Sequence, residues 1–420
     1  METTVIPAGG APLSPEERTA EASLPPAARS EIGRAAAARA LLEIDLTAVR
    51  HNLSFVRRFA HGAKVMAVVK GDAYGLGALV ISRLLEAEGV EAFAVDSIAE
   101  AVCLRAGGIG RPILIIDGDV PDNIPLAIAH QLMPGIAQEE LLLAYEDFAA
   151  REGVRHPVWL VANVGFNRSG HRDLEGFTRF ALRASECLHL DVRGVYAHLS
   201  NSNREAEVTL SQIDGFRRAA DRAQEIFGAG LETSLFASHG LLRWSGMFRT
   251  DWLRPGLILY GEHAFVEELI EPQLAEALQD LRPAVSLRAR VTQVLDFDAE
   301  EGVGYGLAYK TRAGQRLATV SLGYGGGYPY GARPLEALVK GARAPLAGAV
   351  GMDALQLDVT GIPDVGLYDW VTLAGAEGDE RISIRELARA AAMTPYELLR
   401  QLRAQRRYVD SRGGPAHLQQ

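Results

Sequence analysis

The sequence predicts an α/β protein with an added β domain: a (β/α)8 TIM-like barrel over residues 41–265, followed by a mostly β C-terminal domain over residues 281–410. Two observations predict this fold class. Between residues 64 and 261, eight short apolar segments alternate with segments of helical length, which is typical of parallel strands joined by crossover helices. After Phe265 the chain is first acidic and then consists of short β-type segments separated by Gly and Pro.

The barrel is preceded by Leu41–Ile44, a short apolar strand that could pair with the β domain, and Asp45 can cap the helix that follows. Eight strand–helix units in about 200–250 residues have the size of a closed barrel. An open doubly wound sheet is the competing architecture, and the absence of a GxGxxG turn weakens it only mildly. The eight predicted strands are Lys64–Lys70, Glu91–Asp96, Pro112–Ile116, Leu132–Ala137, Pro157–Asn163, Val192–Leu199, Leu231–Ser238 and Trp252–Gly261.

Capping sequences mark the starts of several helices. Ser97-x-x-Glu100 is a capping box that opens a barrel helix, and Thr394 with Pro395 and Glu397 opens a helix near the C-terminus. The β-type segments between residues 281 and 375 are SLRARVTQVLDF, GVGYGLAYK, RLATVSLGYGGGYPYG, PLAGAVGMDALQLDVT and WVTLAG.

Composition narrows the class of function. The formal net charge is −10 and no basic stripe stands out, which argues against a nucleic-acid partner, while a small phosphorylated ligand stays compatible with the chain. Cys103 and Cys187 have neither disulfide-framework nor metal-site spacing, so we expect no metal and a reducing, cytoplasmic location. No run of about 18 apolar residues predicts a membrane span. Residues 1–40 are expected to be a mostly disordered leader.

Polar residues stand at the C-terminal ends of the predicted strands, where barrel enzymes place their active sites. Each residue alone is weak evidence for an active site. A histidine at a strand end is more often a polar group that is satisfied by hydrogen bonds, and Arg-Pro-Gly is usually a turn. Together they offer an amine for an imine, a cradle for a phosphate and a cation for a ring, which a pyridoxal phosphate enzyme requires. These residues are Lys70, Asn163, Arg168, His198, Ser238, Arg254 and Gly256.

From about Leu41 to about Tyr408 the chain resembles the bacterial alanine racemases, which are fold-type III pyridoxal 5′-phosphate (PLP) enzymes. The resemblance implies a barrel, a β domain and a head-to-tail homodimer, in which each active site borrows residues from the partner's β domain. The matching motifs, in the family's order, are AVVKGDAYGLG, GFNRSG, GVYAHLS, FASHGLLRW, DWLRPGLILYG, VGYGLAYKT, VSLGYGGGYP, VGMDALQLDVT and TPYELL.

The resemblance implies a role for each matching residue. Lys70 matches the lysine that holds the cofactor and acts as one base, and Tyr305 matches the base supplied by the partner subunit on the opposite face. Arg254 matches the arginine facing the pyridine nitrogen, where a fixed cation disfavours protonation of that nitrogen.

The resemblance also implies which residues bind the phosphate, pack against the ring and bind the substrate. The matches to phosphate anchors are Tyr74, Ser238, Tyr396 and the backbone at Gly256 and Leu257. The other matches are His198 against the ring, Arg168 and the Met352 N–H near the substrate carboxylate, and Tyr324 at the substrate entrance.

The chain also departs from the family pattern. Val161 stands where many members carry a lysine, often carbamylated, that braces the site arginine. Asn163 replaces a common aspartate, and Leu76 replaces the usual histidine of the lysine loop. In the β domain, Gly326, Ala349, Gly351 and Ala354 replace larger or polar residues. Smaller residues near the entrance suggest a preference for an amino acid larger than alanine.

The leading hypothesis is therefore a PLP-dependent amino-acid racemase acting on a small-molecule amino acid as a homodimer. One competitor is a fold-III decarboxylase of basic amino acids, although its cysteine-and-aspartate motif and glycine-triplet loop are missing from the expected places. A second competitor is a PLP-binding protein without catalysis, but single-barrel proteins of that kind lack a β domain.

Overall fold

The computed structural model describes residues 38–116, 118–330 and 335–411. The predicted leader, residues 1–40, lies almost entirely outside the described residues. The N-terminal half forms a closed barrel of eight parallel strands, so the predicted fold class is confirmed. The barrel strands are β2 (Lys64–Val68), β3 (Ala92–Val95), β4 (Ile113–Ile115), β5 (Met133–Ile136), β6 (His156–Val161), β7 (Leu190–Tyr196), β8 (Glu232–Ala237) and β9 (Trp252–Arg254).

The barrel closes between its first and last strands, where Lys64 pairs with Trp252 and Val65 with Leu253. The last strand is shorter than predicted. It ends at Arg254 because Pro255 has no backbone N–H to continue the ladder, and residues Leu257–Tyr260 form a 3-10 helix instead. The apolar residues after Pro255 therefore form a short, buried 3-10 helix and do not continue the strand.

Helices surround the barrel and bury one face each, as the spacing of apolar residues predicts. The helix α1 begins at Asp45, whose carboxylate accepts the N–H groups of Thr47 and Ala48. The helices of this half are α1 (Leu46–Arg58), α2 (Ala78–Ala87), α3 (Ile98–Ala106), α4 (Ile124–Ala129), α5 (Glu139–Glu152), α6 (Leu174–Ser185), α7 (Ala206–Phe227), α8 (Ser238–Trp244) and α9 (Pro272–Leu278).

The second half is a nine-stranded sheet that includes a strand from the start of the chain. The strand β1 (Ala40–Asp45) lies between β10 and β19 of the C-terminal region, antiparallel to the first and parallel to the second. The other strands of this half are β10 (Val285–Phe297), β11 (Gly302–Val303), β12 (Tyr309–Lys310), β13 (Gln315–Val320), β14 (Glu336–Val339), β15 (Ala342–Pro345), β16 (Leu355–Asp358), β17 (Trp370–Glu377), β18 (Glu380–Ile382) and β19 (Gln405–Val409).

Two short helices, α10 (Ile384–Ala390) and α11 (Pro395–Gln401), connect the sheet to the barrel mouth. At the start of α11, Thr394 and Glu397 form the predicted capping box, each side chain bonding the other residue's backbone N–H. This places Tyr396 in the first turn of α11, facing the barrel residue Tyr74 at 5.8 Å between ring centres. Within the described residues, no helix is both long enough and apolar enough to cross a membrane.

Candidate active site

Lys70 is separated from the end of β2 by one residue and begins the helical turn Lys70–Tyr74, which is left-handed from Gly71 onward. Residues 71–73 have φ values of 62°, 57° and 53°, and Tyr74 has φ 58°. Only Gly71 adopts this conformation without cost, since each ordinary residue loses about 1–2 kcal/mol in a left-handed helix. The glycines at positions 71, 75 and 77 favour a loop, not a helical turn. The surrounding structure must therefore hold the turn in place.

The carboxylate of Glu100, in α3, holds that turn. Its Oε1 accepts the N–H of Gly71 at 2.6 Å and of Asp72 at 3.3 Å, and its Oε2 accepts the N–H of Asp96 at 3.0 Å. Ser97 does cap α3 by accepting the Glu100 N–H, as predicted. The second hydrogen bond of a capping box, from the Ser97 N–H to the Glu100 carboxylate, is replaced. The Glu100 side chain bonds the lysine turn instead.

The C-terminal strand β19 holds the same segment from the other side. Arg406 forms an ion pair with Asp72 at 2.5 Å, and the Tyr408 hydroxyl donates to the Leu76 carbonyl at 2.8 Å. Leu76 itself is fully buried in the core. Its side chain therefore packs in the position where the family usually carries a polar histidine.

The lysine opens into a cavity of about 310 Å³ at the C-terminal end of the barrel. Residues from six barrel strand ends and from α11 contribute to its wall, so both halves of the chain build it. Of the residues predicted for the site, those that line this cavity are Lys70, Tyr74, Arg168, His198, Ser238, Arg254, Gly256 and Tyr396. Leu257 is fully buried next to Gly256 but does not contribute to the wall.

Arg254 is a buried cation at the floor of this cavity, with 2% of its surface exposed. Its guanidinium donates to the Ser234 hydroxyl and to the Ala197 carbonyl, both at 2.5 Å, and lies over the ring of Tyr196 at 5.0 Å. His198 lies nearby, and burial, together with the positive charge of Arg254 and Arg168, lowers the pKa of His198 to about 3. The imidazole is therefore neutral at physiological pH.

Hydroxyl and amide groups gather at one end of the cavity. The Ser238 Oγ accepts the N–H of Gly256 at 3.0 Å and of Ile258 at 3.4 Å. A Cβ atom on Gly256 would lie 2.2 Å from the Tyr74 hydroxyl, so only glycine fits there. Burial raises the pKa of Tyr396 to about 12, which keeps its hydroxyl protonated. This end can therefore offer neutral donors to an anion.

Arg168 lies on the loop that follows β6, and its guanidinium carbon is 4.5 Å from the centre of the Phe166 ring. That ring in turn meets His198 edge-on, with 5.3 Å between ring centres. The departures from the family pattern lie at the base of this loop. Val161 is buried in the barrel interior, and the Asn163 side chain accepts the N–H groups of Gly165 and Asn167.

The three predicted site residues of the β domain, Tyr305, Tyr324 and Met352, do not line this cavity. Tyr305 and Tyr324 line a separate cavity of about 500 Å³ on the β domain, together with Tyr330, Ala349 and Val350. Tyr305 is 76% exposed and Met352 is 53% exposed. Within one chain, therefore, the residues predicted to come from the partner lie on an exposed surface of the β domain.

Comparison with known proteins decides the family. The model of the alanine racemase N-terminal domain matches residues 44–264, and that of the C-terminal domain matches residues 284–409. This chain belongs to the alanine racemase family. The curated alanine racemase of Xanthomonas campestris pv. campestris is 35% identical over 376 residues, which are 89% of this chain and 98% of the relative.

Solved structures of the family share the fold. The alanine racemase of Clostridium difficile 630 has a TM-score of 0.82 at 25% identity, over 90% of this chain and 97% of the other. The biosynthetic alanine racemase of Pseudomonas aeruginosa has a TM-score of 0.77 at 31% identity, over 89% and 100%. The predicted family is thereby confirmed, together with the class of PLP-dependent enzymes to which it belongs.

The residues around the cavity fit PLP. An amine, a buried cation, a neutral imidazole and a cradle of hydroxyl and amide groups border one space. Two acidic residues were not predicted as part of the site: Asp96, which contacts the amine, and Glu100, which holds the lysine turn. Lys70 Nζ lies 2.9 Å from the Asp96 Oδ1, and an acidic residue at the end of β3 was the available signal.

Proposed function

We propose that this protein is a PLP-dependent amino-acid racemase that interconverts L- and D-alanine or a related, larger amino acid. The observation that carries the proposal is the convergence of Lys70, Arg254 and the Ser238–Gly256 cradle on one cavity at the catalytic end of the barrel. The alanine racemases to which the chain is 35–36% identical over more than 85% of its length support the assignment.

In this proposal the cavity binds PLP with its phosphate at the cradle end. Ser238, Tyr74, Tyr396 and the backbone N–H groups at Gly256 and Leu257 would hold the phosphate, and the amine of Lys70 would be the group that holds the aldehyde. The bound group supplies an electron sink for the α-carbon of the substrate. His198 packs against the ring as a neutral group, so it adds no charge there.

Arg254 faces the ring nitrogen in this arrangement. Its guanidinium is always charged and is fixed by the Ser234 hydroxyl and the Ala197 carbonyl. A fixed cation at this place disfavours protonation of the ring nitrogen. We infer that Arg254 thereby restrains side reactions such as transamination.

Racemisation needs a base on each face of the α-carbon. We assign these roles to Lys70 and to Tyr305 of the opposite subunit in a homodimer. Support comes from the exposure of Tyr305 at 76%, since an isolated chain leaves it in solvent away from its own Lys70 cavity. Arg168 and the N–H of Met352 from the opposite subunit would bind the substrate carboxylate, and Tyr324 of that subunit would lie at the entrance.

The size of the substrate stays open within this proposal. The names of the relatives favour alanine. Ala349 lines the cavity that also contains Tyr305 and Tyr324, and the small residues Gly351 and Ala354 lie close to it in the chain, which would leave room for a longer side chain. We also propose a cytoplasmic location, which suits the two free cysteines, Cys103 and Cys187.

The experiment is α-proton exchange in deuterated water over a panel of L-amino acids, with purified protein and added PLP. Exchange with formation of the D-isomer is expected, and the fastest substrate defines the preference. Release of carbon dioxide from ornithine, arginine or diaminopimelate would instead indicate a decarboxylase. A cofactor spectrum without exchange on any amino acid would indicate a binding protein.

Shared sites are tested by mixing two inactive variants, Lys70→Ala and Tyr305→Phe. A mixed dimer has one site with both defects and one intact site. If the subunits exchange freely, about a quarter of the wild-type activity should return at equal amounts. No recovery from a mixture shown to contain mixed dimers would contradict the assignment of Tyr305 to the partner's site.

A further inference from the structure

A second cavity lies at the N-terminal end of the barrel, opposite to the cavity that contains Lys70. Its volume is about 610 Å³, within the range of about 300–1,000 Å³ that is typical of ligand sites. Its wall includes His156, Glu232 and Trp252, the first residues of strands β6, β8 and β9. Because these residues begin their strands, this lower cavity opens on the face of the barrel away from the catalytic residues.

A layer of packed side chains separates the two cavities. Met66 and Trp159 line the lower cavity, and Val68 and Ile116 line the catalytic cavity. All four belong to one buried apolar cluster. Met66 and Val68 are two residues apart on β2, which is about 7 Å along a strand. A ligand in the lower cavity would therefore contact neither PLP nor the substrate, so the two sites can be tested separately.

The inner part of the lower cavity is largely apolar. Trp159 and Trp252 are buried there, and Met133 and Pro157 are half-buried along the wall. The imidazole of His156 adds no charge at neutral pH, because burial lowers its pKa to about 4. Aromatic and thioether side chains make favourable contacts with a flat ring. This part of the cavity therefore suits the aromatic body of a ligand.

The outer part carries positive charge, although the whole chain has a formal net charge of −10. Three arginines and one glutamate line the cavity: Arg105, Arg155, Arg193 and Glu232. The glutamate is already paired with Lys64, at 2.8 Å between Nζ and Oε1. The charge of the wall therefore favours an anion over a cation or a neutral molecule.

Two of these arginines share one carboxylate, that of Asp191. The Arg193 Nε lies 2.6 Å from Oδ2, whereas the Arg155 Nη2 lies 3.7 Å from Oδ1, beyond hydrogen-bond distance. Arg155 donates through Nε to the Leu190 carbonyl, and within the part of the chain that the structure describes no hydrogen bond engages its Nη atoms. Two cations against one carboxylate leave a surplus of one positive charge. The paired N–H groups of a guanidinium match the two oxygens of a carboxylate.

We propose that the lower cavity is a second binding site, for a small aromatic monocarboxylate. Its ring would occupy the apolar inner part, and its carboxylate would bind Arg155 and Arg193. The apolar walls argue against a bare inorganic anion, and the surplus of a single charge argues against a polyanion. This site goes beyond the proposed racemase activity and does not depend on it.

The test is a calorimetric titration of the PLP-loaded protein with 3-phenylpropionate in saturating propionate. Propionate occupies a carboxylate site in the catalytic cavity but has no ring for the lower cavity. We expect one molecule of 3-phenylpropionate per chain, with a dissociation constant below about 1 mM. The neutral analogue 3-phenylpropan-1-ol, and hexanoate, which lacks the ring, should each bind at least about fivefold more weakly.

Variants of the outer part should change the affinity in opposite directions. The double variant Arg155→Gln/Arg193→Gln should weaken 3-phenylpropionate binding about tenfold, because it removes both cations. Asp191→Asn should strengthen it about twofold to threefold, since the carboxylate that competes for both arginines is lost. Arg179→Gln, at an exposed pair with Glu175, is the matched control and should leave binding unchanged.

Two results would overturn the inference. One is the absence of saturation up to about 10 mM, or an equal affinity for the acid and its alcohol. The other is loss of binding in Arg168→Met with no loss in the double variant, since the probe would then occupy the catalytic cavity. Binding is measured without turnover. If the racemase proposal fails, α-proton exchange is absent while binding in the lower cavity persists, so the two failures can be distinguished.

Discussion

Lys70 and Asp96 form an ion pair at the mouth of the barrel, with 2.9 Å between Nζ and Oδ1. The side chain of Asp96 is 58% exposed, and that of Lys70 is 34% exposed. The carboxylate just after β3 thus fixes the position of the amine. A partly exposed pair of this kind contributes about 0.2–1 kcal/mol.

The pair should slow the capture of PLP, because the amine must leave the carboxylate to react with the aldehyde. We expect Asp96→Asn apoprotein to capture PLP up to about fivefold faster at pH 7, the factor that corresponds to 1 kcal/mol. Stopped-flow absorbance measures the rate. Asp221→Asn, which removes an exposed carboxylate of α7, should leave the rate unchanged. An equal or slower rate in Asp96→Asn would show that the pair does not restrain the amine.

Glu100 should stabilise the fold through the left-handed turn. Glu100→Ala removes the acceptor of three backbone N–H groups, those of Gly71, Asp72 and Asp96. We expect the free energy of unfolding to fall by about 2–3 kcal/mol, since unsatisfied donors are costly and the strained turn loses its support. Urea denaturation of the apoprotein measures it. Glu175→Ala, at an exposed pair with Arg179, should cost less than about 0.5 kcal/mol.

Gly256 and Tyr74 should be coupled in PLP binding. Gly256→Ala places a methyl group 2.2 Å from the Tyr74 hydroxyl oxygen and 3.0 Å from the ring carbon that carries it. We expect Gly256→Ala to weaken PLP binding at least tenfold in an equilibrium titration. Tyr74→Phe removes the nearer atom, so the double variant should bind more tightly than Gly256→Ala alone. A strictly additive loss would show that the two residues act independently.

Glu262 should give the stability of the protein a distinctive dependence on pH. Burial raises the pKa of this carboxyl to about 7, with partial opposition from Arg385. The folded state therefore binds a proton that the unfolded state releases above about 4.5. Its contribution to stability is complete below that pH and is lost as the pH rises through 7. Glu262→Gln should gain stability over the wild type from pH 4.5 to 7 and then level off.

Buried histidines change the stability of the protein with pH in the opposite direction. Burial lowers the pKa of His239 to about 4, and burial with Arg385 lowers that of His263 to about 3. Their contribution is present above the unfolded value of about 6.5 and is lost on acidification. Urea midpoints at pH 5, 6, 7 and 8 separate the two effects, with Glu268→Gln as an exposed control. A constant difference between Glu262→Gln and the wild type would contradict the raised pKa of Glu262.

Much of the fold follows from local pattern. Short segments rich in apolar residues between helical segments predicted all eight barrel strands, because strands buried on both faces are largely apolar. The end of the last strand was wrong, since periodicity does not show where Pro255 interrupts a ladder. The left-handed turn was not predicted, because Ala73 disfavours that conformation and the groups that hold the turn, Glu100 and Arg406, are distant in the sequence.

The site residues also divide into those that local sequence predicts and those that it does not. Residues at the ends of neighbouring strands, such as Lys70, His198 and Arg254, meet because the barrel geometry brings all strand ends together. Tyr305 and Tyr324 needed the family resemblance, because a single chain leaves them on a distant surface of the β domain. The contact between Phe166 and Arg168 was not predicted, because an aromatic residue in a loop carries no signal of its own until its partner in space is known.

The position of β1 has a consequence for the synthesis of the chain. This strand joins β10 along one edge and β19 along the other, and its partner Gln405 lies near the C-terminal end of the described residues. At roughly 5–20 residues per second, the ribosome needs on the order of 20 to 70 seconds to deliver β19 after β1. During that interval at least one edge of β1 lacks its partner strand. The strand β19 both completes the sheet and holds the lysine turn through Arg406, so neither half of this enzyme is finished until β19 has been made.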